Sequence, residues 1–385
     1  MIIFKAYKFK LYPNEEQMKI INQTFGSTKF VYNFFLSRKD EYYKETKTHL
    51  TLSMIKHELI SLKENNSWLK DVDSMALTTT LENLDRAYIN YFKKKMSHPV
   101  YKKKGCHESY KSVNIKSNYK GENYNNIFLD VKNKEIKLPK LGIVKVRGYR
   151  HLSKELNIIN ATISKEGNKY YVSLCVKEEI EVVKKNIRNA VGIDLGVESL
   201  VTTSDGIKYH KLLIKRVENH IEVLQQRLSR CVKGSKNYYQ IKNKIARLYQ
   251  KIKNMRKYYI HEVTNEIIKD NDLIVCESLK TKEMIEISEY KSLTKGIVNA
   301  CFSEIIAKLE YKTKWYGKTL IHVNTYYPSS KICHHCGTRN EINNLSIREF
   351  ECIKCHIEND RDINASINIL DEGIRLAIKE KIIKI

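Results

Sequence analysis

Ala190-Val191-Gly192-Ile193-Asp194-Leu195-Gly196 is the stretch from which the rest of the chain is read. It is an apolar run of strand length ending on a carboxylate, with two glycines that permit close backbone approach. Ser199–Thr203 pairs with it naturally as the next strand. The period then changes: Val217, Ile221, Leu224 and Leu228 step by four, three and four, and Ile241, Ile245, Leu248, Ile252, Met255 and Tyr259 follow the same rule. With Gly234 between them, these runs predict an antiparallel two-helix seam with a basic exterior, a packing feature and not a cofactor box. A second apolar strand, 272–276, ends at Glu277. Helix is expected through about 298–315, a strand over Thr319–Val323, and a last helix from near Asp362.

Three acids thus stand at defined places: Asp194 and Glu277 at strand ends, Asp362 at a helix start within Asp360-Arg361-Asp362-Ile363-Asn364-Ala365. Hard divalent cations prefer carboxylate oxygens. Phosphodiester cleavage uses two such cations about 3.5–4 Å apart, one activating water and one stabilising the leaving oxygen. Clustered carboxylates repel one another unless cations neutralise them. The expectation is that Asp194 bridges two Mg2+ ions, Glu277 completes one and Asp362 the other. Any single acid reads as an ordinary surface carboxylate. The ordered set, strand, strand and helix, is the placement used by nucleases of the RNase H superfamily.

Between the last strand and the last helix lie Cys333-His334-His335-Cys336-Gly337 and Cys352-Ile353-Lys354-Cys355, two knuckles with fifteen residues between Cys336 and Cys352. Four thiolates at this spacing make a closed tetrahedral Zn2+ site, structural because no position is left for water. Such a site stabilises a loop that would not fold alone. His334, His335 and His356 are ligands by type, yet Cys333, Cys336, Cys352 and Cys355 already fill the shell. The other five of the nine cysteines, Cys106, Cys175, Cys231, Cys276 and Cys301, are scattered singly, which argues metal and not disulfides.

Toward the N-terminus, Tyr7, Phe9 and Leu11 alternate with Lys8 and Lys10, a half-buried strand with a basic outer face. Asn14 followed by Gln17 resembles a helix N-cap. Helical patterns run through 30–43 and 74–95, a basic and aromatic stretch through about 97–116, and strands at 126–131, 135–138, 143–147, 161–164 and 170–176. The first 185 residues therefore read as a β module with a helical insert. Lys plus Arg number 69 against 44 acids, a formal net charge of +25 spread along the whole chain. Such an excess is kept for a polyanionic partner, nucleic acid before a membrane surface. With 42% hydrophobic residues the chain can build real cores, and no stretch is apolar enough to span a membrane. The first residues lack a signal-peptide pattern, so a cytoplasmic prokaryotic protein is expected. Tyr88, Tyr91, Tyr101 and Tyr110, interleaved with lysines, are candidates for base stacking, although tyrosines at helical spacing more often pack in a core.

Taken together the sequence resembles the TnpB family of insertion-sequence proteins, relatives of the type V CRISPR effectors. The matching stretches are Tyr7-Lys8-Phe9-Lys10-Leu11-Tyr12-Pro13, residues 191–197, residues 312–317 with Tyr327-Pro328-Ser329-Ser330-Lys331, both knuckles, and 360–364. In that resemblance the chain is an α+β multidomain protein. A β-barrel-like wedge module (1–12 and 119–185) carries a helical recognition insert (13–118). An RNase H-like RuvC domain (186–325 and 360–385, helical hairpin about 211–270) is interrupted by the zinc ribbon (326–359). The family places catalysis on Asp194, Glu277 and Asp362, with Arg348 supporting the scissile phosphate. The implied partners are a guide RNA from the transposon end and target duplex DNA with a short adjacent motif, bound by a monomeric protein. The implied activity is RNA-guided cutting of double-stranded DNA, in which guide pairing reads sequence and the protein grips the backbone. The chain departs from the family in having Ser278 where an acid often follows Glu277, and His356 where a glycine usually follows the second knuckle. Two other readings are a cutting-deficient guided repressor, against which the intact acid set argues, and a guide-free RNase H-type nuclease or transposase, against which the large basic N-terminal module argues.

Overall fold

The computed structural model describes the chain except residues 104, 106–107, 120–121, 149–155, 184–185, 288–290, 343–346 and 383–385; Cys106, singled out above, and Lys104 of the basic stretch 97–116 lie outside the described residues. The chain divides into two compact units, Met1–Ile180 and Glu181–Ile385.

The first unit opens with strand β1 (Ile2–Tyr12) and three helices, α1 (Glu15–Thr46), α2 (Leu52–Asn65) and α3 (Ser74–Phe92). Strands β2 (Ser109–Val113), β3 (Lys116–Tyr119), β4 (Glu122–Asn125), β5 (Phe128–Asp130), β6 (Glu135–Leu138), β7 (Gly142–Arg147), β8 (Ile158–Glu166) and β9 (Lys169–Glu179) follow. Seven of them form one antiparallel sheet in the order β2-β8-β9-β1-β7-β6-β5. Period-2 alternation sends Phe9, Leu11, Val172, Leu174 and Val176 to a single core. The sheet's two edges are tied: Ile115 N–H donates to Asn126 Oδ1 at 2.7 Å and Ile127 N–H to Asn114 Oδ1 at 3.1 Å. The helices share a second core around Phe35, Leu36, Ile55, Leu77 and Leu81.

Two expectations change here. The helix expected at 30–43 is the end of one helix of 32 residues, opened by a capping box between Asn14 and Gln17. Its first half buries Thr24, Ser27 and Thr28, whose hydroxyls donate to the carbonyls four residues back, at 2.8, 2.9 and 3.0 Å. Polar residues on the buried face hide the period. The strand Ser109–Val113 belongs to the sheet, so the helical insert expected over 13–118 ends before it. Tyr110 and Ser112 point inward there, and the stretch is core where it reads as surface.

The second unit contains β10 (Ala190–Asp194), β11 (Ser199–Thr203), β12 (Lys208–His210), α4 (Lys215–Ser229), α5 (Lys236–Asp270), β13 (Leu273–Glu277) and α6 (Thr281–Ile287). After these come α7 (Lys291–Ala300), α8 (Phe302–Tyr316), β14 (Thr319–Val323), β15 (Glu349–Glu351), β16 (Glu358–Asp360) and α9 (Arg361–Lys379). Its main sheet runs β12-β11-β10-β13-β14, with β10, β13 and β14 mutually parallel. Parallel central strands are covered on both faces, which is why they read as unbroken apolar runs. Ile274 and Cys276 face a core shared with α5 and α8, while Leu273 and Val275 face one shared with α9. The helix expected through 298–315 is broken at Cys301, whose φ is +54°, into α7 and α8.

The motif 312–317 does structural work. Lys312 is buried and donates to His261 O at 3.0 Å, Thr264 Oγ1 at 2.6 Å and Asn265 Oδ1 at 2.6 Å, pinning α8 to α5. Burial, helped by the like charge of Lys308 and opposed by the carboxylate of Glu262, pulls its ammonium down to about 8. Gly317 ends α8 with φ +66°. Among the described residues no helix is long and apolar enough to cross a membrane.

Candidate active site

Strands β10 and β13 are parallel neighbours, with Ile193 opposite Cys276, so Asp194 and Glu277 leave the same end of the sheet. Helix α9 brings the third acid. Its N-cap is Asp360, whose Oδ1 accepts from the N–H groups of Asp362 and Ile363, both at 3.0 Å. The helix lies flat on the sheet because two glycines make room. A Cβ on Gly192 would stand 2.1 Å from Ser366 O, and one on Gly373 would stand 2.3 Å from Val275 Cγ1. Seated in this way, the first turn of α9 points Asp362 at the strand end that carries Asp194.

The electrostatics of Asp194 record that convergence. Burial first, then the charges of Glu277 and Asp362, push its carboxyl up to about 7, against the pull of the Leu195 N–H. Glu277 is also raised by burial, partly countered by a hydrogen bond from Ser329. The three acids are not drawn as tightly as the thiols below, which are the group among the described residues whose ligand atoms all lie within 4.8 Å of one another. Mutually repelling carboxylates, one of them pushed up to about 7, are the donor set and the charge deficit that hard cations satisfy.

Arg348 reaches this site. Its Nη1 lies 3.3 Å and 3.5 Å from the two oxygens of Asp362, and its Nη2 lies 3.1 Å from Glu198 Oε2. Lys208 Nζ is 2.5 Å from Asp360 Oδ2. Asp360 therefore serves as helix cap and ion-pair partner. Glu198, Lys208, Asp360 and Ser329 belong to the surroundings of the acids, and sequence reading missed their roles. Only Asp360 carried a signal, as an N-cap residue directly before a helix.

Cys333, Cys336, Cys352 and Cys355 converge as the spacing requires. Cys333 and Cys355 sulfurs lie 3.7 Å apart, and those of Cys336 and Cys352 lie 3.5 Å apart. The N–H groups of Cys355 and Lys354 help hold the Cys352 thiol down to about 6. The two knuckles repeat one turn: Gly337 N–H donates to Cys333 O at 2.8 Å and His356 N–H to Cys352 O at 3.0 Å. Both following residues are left-handed, Gly337 at φ +71° and His356 at φ +54°. His356 holds the turn with its ring, Nδ1 standing 2.8 Å from Glu351 Oε1. His334 Nδ1 contacts Asn364 Oδ1 at 3.0 Å, so its ring meets α9.

Of the stacking candidates, Tyr88 and Tyr110 are buried, 8% and 5% exposed, while Tyr91 and Tyr101 face solvent at 38% and 55%. Tyr88 is core, its hydroxyl donating to Asp40 Oδ1 at 2.5 Å.

Comparison with known proteins sets this geometry in a class. By fold the chain is a mixed α/β protein similar to Cas12f structures. It aligns with the structure titled "Cryo-EM structure of the Cas12f1-sgRNA-target DNA complex" over 96% of its own length and 98% of that chain, with a TM-score of 0.56 and 15% identity. Three family models match: OrfB_IS605, described as "Probable transposase", at residues 173–288, "Cas12f1-like, TNB domain" at 302–369, and "Helix-turn-helix domain" at 1–48. The last stretch forms one strand and one helix here. The Escherichia coli K12 protein "Putative RNA-guided DNA endonuclease InsQ" is 30% identical over 96% of this chain and 92% of its own. A Streptomyces pristinaespiralis protein, "Putative RNA-guided DNA endonuclease", is 29% identical over 96% and 89%. The chain belongs to the TnpB family.

Proposed function

We propose that this protein is an RNA-guided endonuclease that cuts double-stranded DNA for an insertion sequence, with Asp194, Glu277 and Asp362 as its catalytic carboxylates. The observation that carries the reading is their convergence from two parallel strand ends and one helix start, strong enough to hold Asp194 at about 7. In this reading the second unit is an RNase H-like RuvC domain with the zinc ribbon inserted before α9. The sheet of the first unit is a wedge module whose helical insert meets the guide RNA and a short motif beside the target.

Divalent cations, Mg2+ in the cell, would supply water activation and stabilisation of the leaving oxygen. Asp194, the most desolvated of the three, would hold these cations together with Glu277 and Asp362. Arg348 holds Asp362 in the absence of nucleic acid and is free to turn toward a phosphate when one arrives. Cys333, Cys336, Cys352 and Cys355 would hold one structural Zn2+. The dispersed charge of +25 suits a protein that grips phosphates while base pairing reads sequence.

The test is to express the protein with its flanking genomic DNA, sequence the RNA that co-purifies, and offer DNA matching the 3′ end of that RNA with Mg2+. A discrete RNA with matched cleavage that Asp194→Ala abolishes supports the proposal. Binding without cutting identifies a guided repressor, and cutting without bound RNA a guide-free nuclease.

A further inference from the structure

Glu277 is held in place by a neighbour outside the acid set. Ser329 Oγ donates to Glu277 Oε1 at 2.5 Å, and Ser329 is 5% exposed. The backbone of this serine is held in turn. Asn364 Nδ2 and Asn368 Nδ2 donate to Ser329 O at 3.4 and 2.7 Å, and the same two amides donate to Ile332 O at 2.7 and 2.6 Å. Asn364 Oδ1 accepts the N–H of His334 at 2.9 Å. Both asparagines are buried on α9, the helix that carries Asp362, and Ile332 and His334 flank the zinc-knuckle residue Cys333. One short arch, 329–334, therefore touches Glu277 with a side chain and α9 with two carbonyls, and it begins the first knuckle.

A glutamate has three rotatable bonds, and beside two like charges it would swing away unless anchored. We propose that Ser329 is a positioning residue for the carboxylate site: it fixes Glu277 through Oε1 and leaves Oε2 to face a cation, while Asn364 and Asn368 set the arch at a constant distance from Asp362. Outer-shell partners of this kind orient ligands that would otherwise sample several rotamers. This inference rests on the reading of Asp194, Glu277 and Asp362 as metal ligands.

The experiment uses the full chain with its co-purified RNA, as wild type and as Ser329→Ala, Ser329→Thr and Asn368→Ala. Three quantities are read: the rise in melting temperature on adding Mg2+ or Mn2+, the Mg2+ midpoint of target cleavage, and zinc per chain. Ser329→Ala is expected to raise the Mg2+ midpoint roughly tenfold and to shrink the Mn2+-induced melting shift, with zinc content unchanged. Ser329→Thr, which keeps the hydroxyl, should restore both. Asn368→Ala, which loosens the arch without touching a carboxylate, should move the midpoint in the same direction as Ser329→Ala. A wild-type midpoint and melting shift in Ser329→Ala would overturn the inference, as would a slowed variant whose rate ignores Mg2+ concentration. If the wild-type melting shift itself survives Asp194→Asn, the carboxylate site is wrongly assigned and the role of Ser329 falls with it.

Discussion

Replacing Asp194 with asparagine should make the metal-free protein more stable. In an unfolded chain an aspartate ionises near 4; in the folded unit burial and two neighbouring carboxylates hold Asp194 at about 7. Between those values the folded state binds more protons than the unfolded one, so metal-free stability falls as pH rises, and the whole penalty is present above 7. About three units at 1.36 kcal/mol each set a ceiling of ~4 kcal/mol. Although it is the most desolvated of the three acids, Asp194 is not fully buried, and its carboxylate relaxes partly into solvent, which brings the expected gain to ~2 kcal/mol. For a unit of about 200 residues this is a rise in melting temperature of roughly 4–8 °C. The assay is thermal unfolding of wild type and Asp194→Asn at pH 8 and pH 5, in Mg2+-free buffer that retains zinc and again with Mg2+. The gain should be largest at pH 8 and smaller at pH 5. Mg2+ should stabilise wild type and leave the variant nearly unmoved. A variant that melts below wild type at pH 8 without Mg2+, or that gains as much from Mg2+, would refute the reasoning.

Other substitutions probe the frame around the acids. Gly192→Ala places a Cβ 2.1 Å from Ser366 O, and should cost ~3 kcal/mol or more and abolish cleavage, measured by denaturant unfolding and nicking assays. His356→Gly relieves a left-handed histidine at φ +54°, and should stabilise the ribbon by about 0.5–1 kcal/mol less whatever the Glu351 contact contributes, read from the zinc-release midpoint. Lys312 is depressed to about 8, so the unfolded chain binds the extra proton between about 8 and 10.4 and stability attributable to this residue should rise with pH across that window. Lys312→Met should flatten the rise, as followed by urea midpoints from pH 7.5 to 10.

The legible parts of the sequence were those in which burial is one-sided or total. The runs at 190–193 and 273–276 are apolar throughout because both faces of the central parallel strands are covered, whereas the edge strand 319–323, half-buried, carries Thr319 and His322. The knuckles were legible because thiol ligands tolerate little change in spacing. The first half of α1 was not, since Thr24, Ser27 and Thr28 are buried and satisfied by their own helix. Ser109–Val113 was missed because Tyr110 and its lysine neighbours look like a surface until a sheet partner is known. Around the acids, Asp194 and Asp362 announced themselves by context. Ser329 stood in a stretch that resembles the family, but nothing local pointed to its role, which depends on Glu277, fifty-two residues earlier in the chain.

Where Gly192 lets the backbone of α9 at Ser366 and Leu370 come down on the strand that carries Asp194, the spacing between Asp194 and Asp362 is set largely by main-chain dimensions. Substitutions among the solvent-facing lysines and tyrosines leave that spacing untouched. A chain built in this way can drift toward new nucleic-acid partners while its cutting geometry stays constant, so recognition and chemistry are able to evolve on separate clocks.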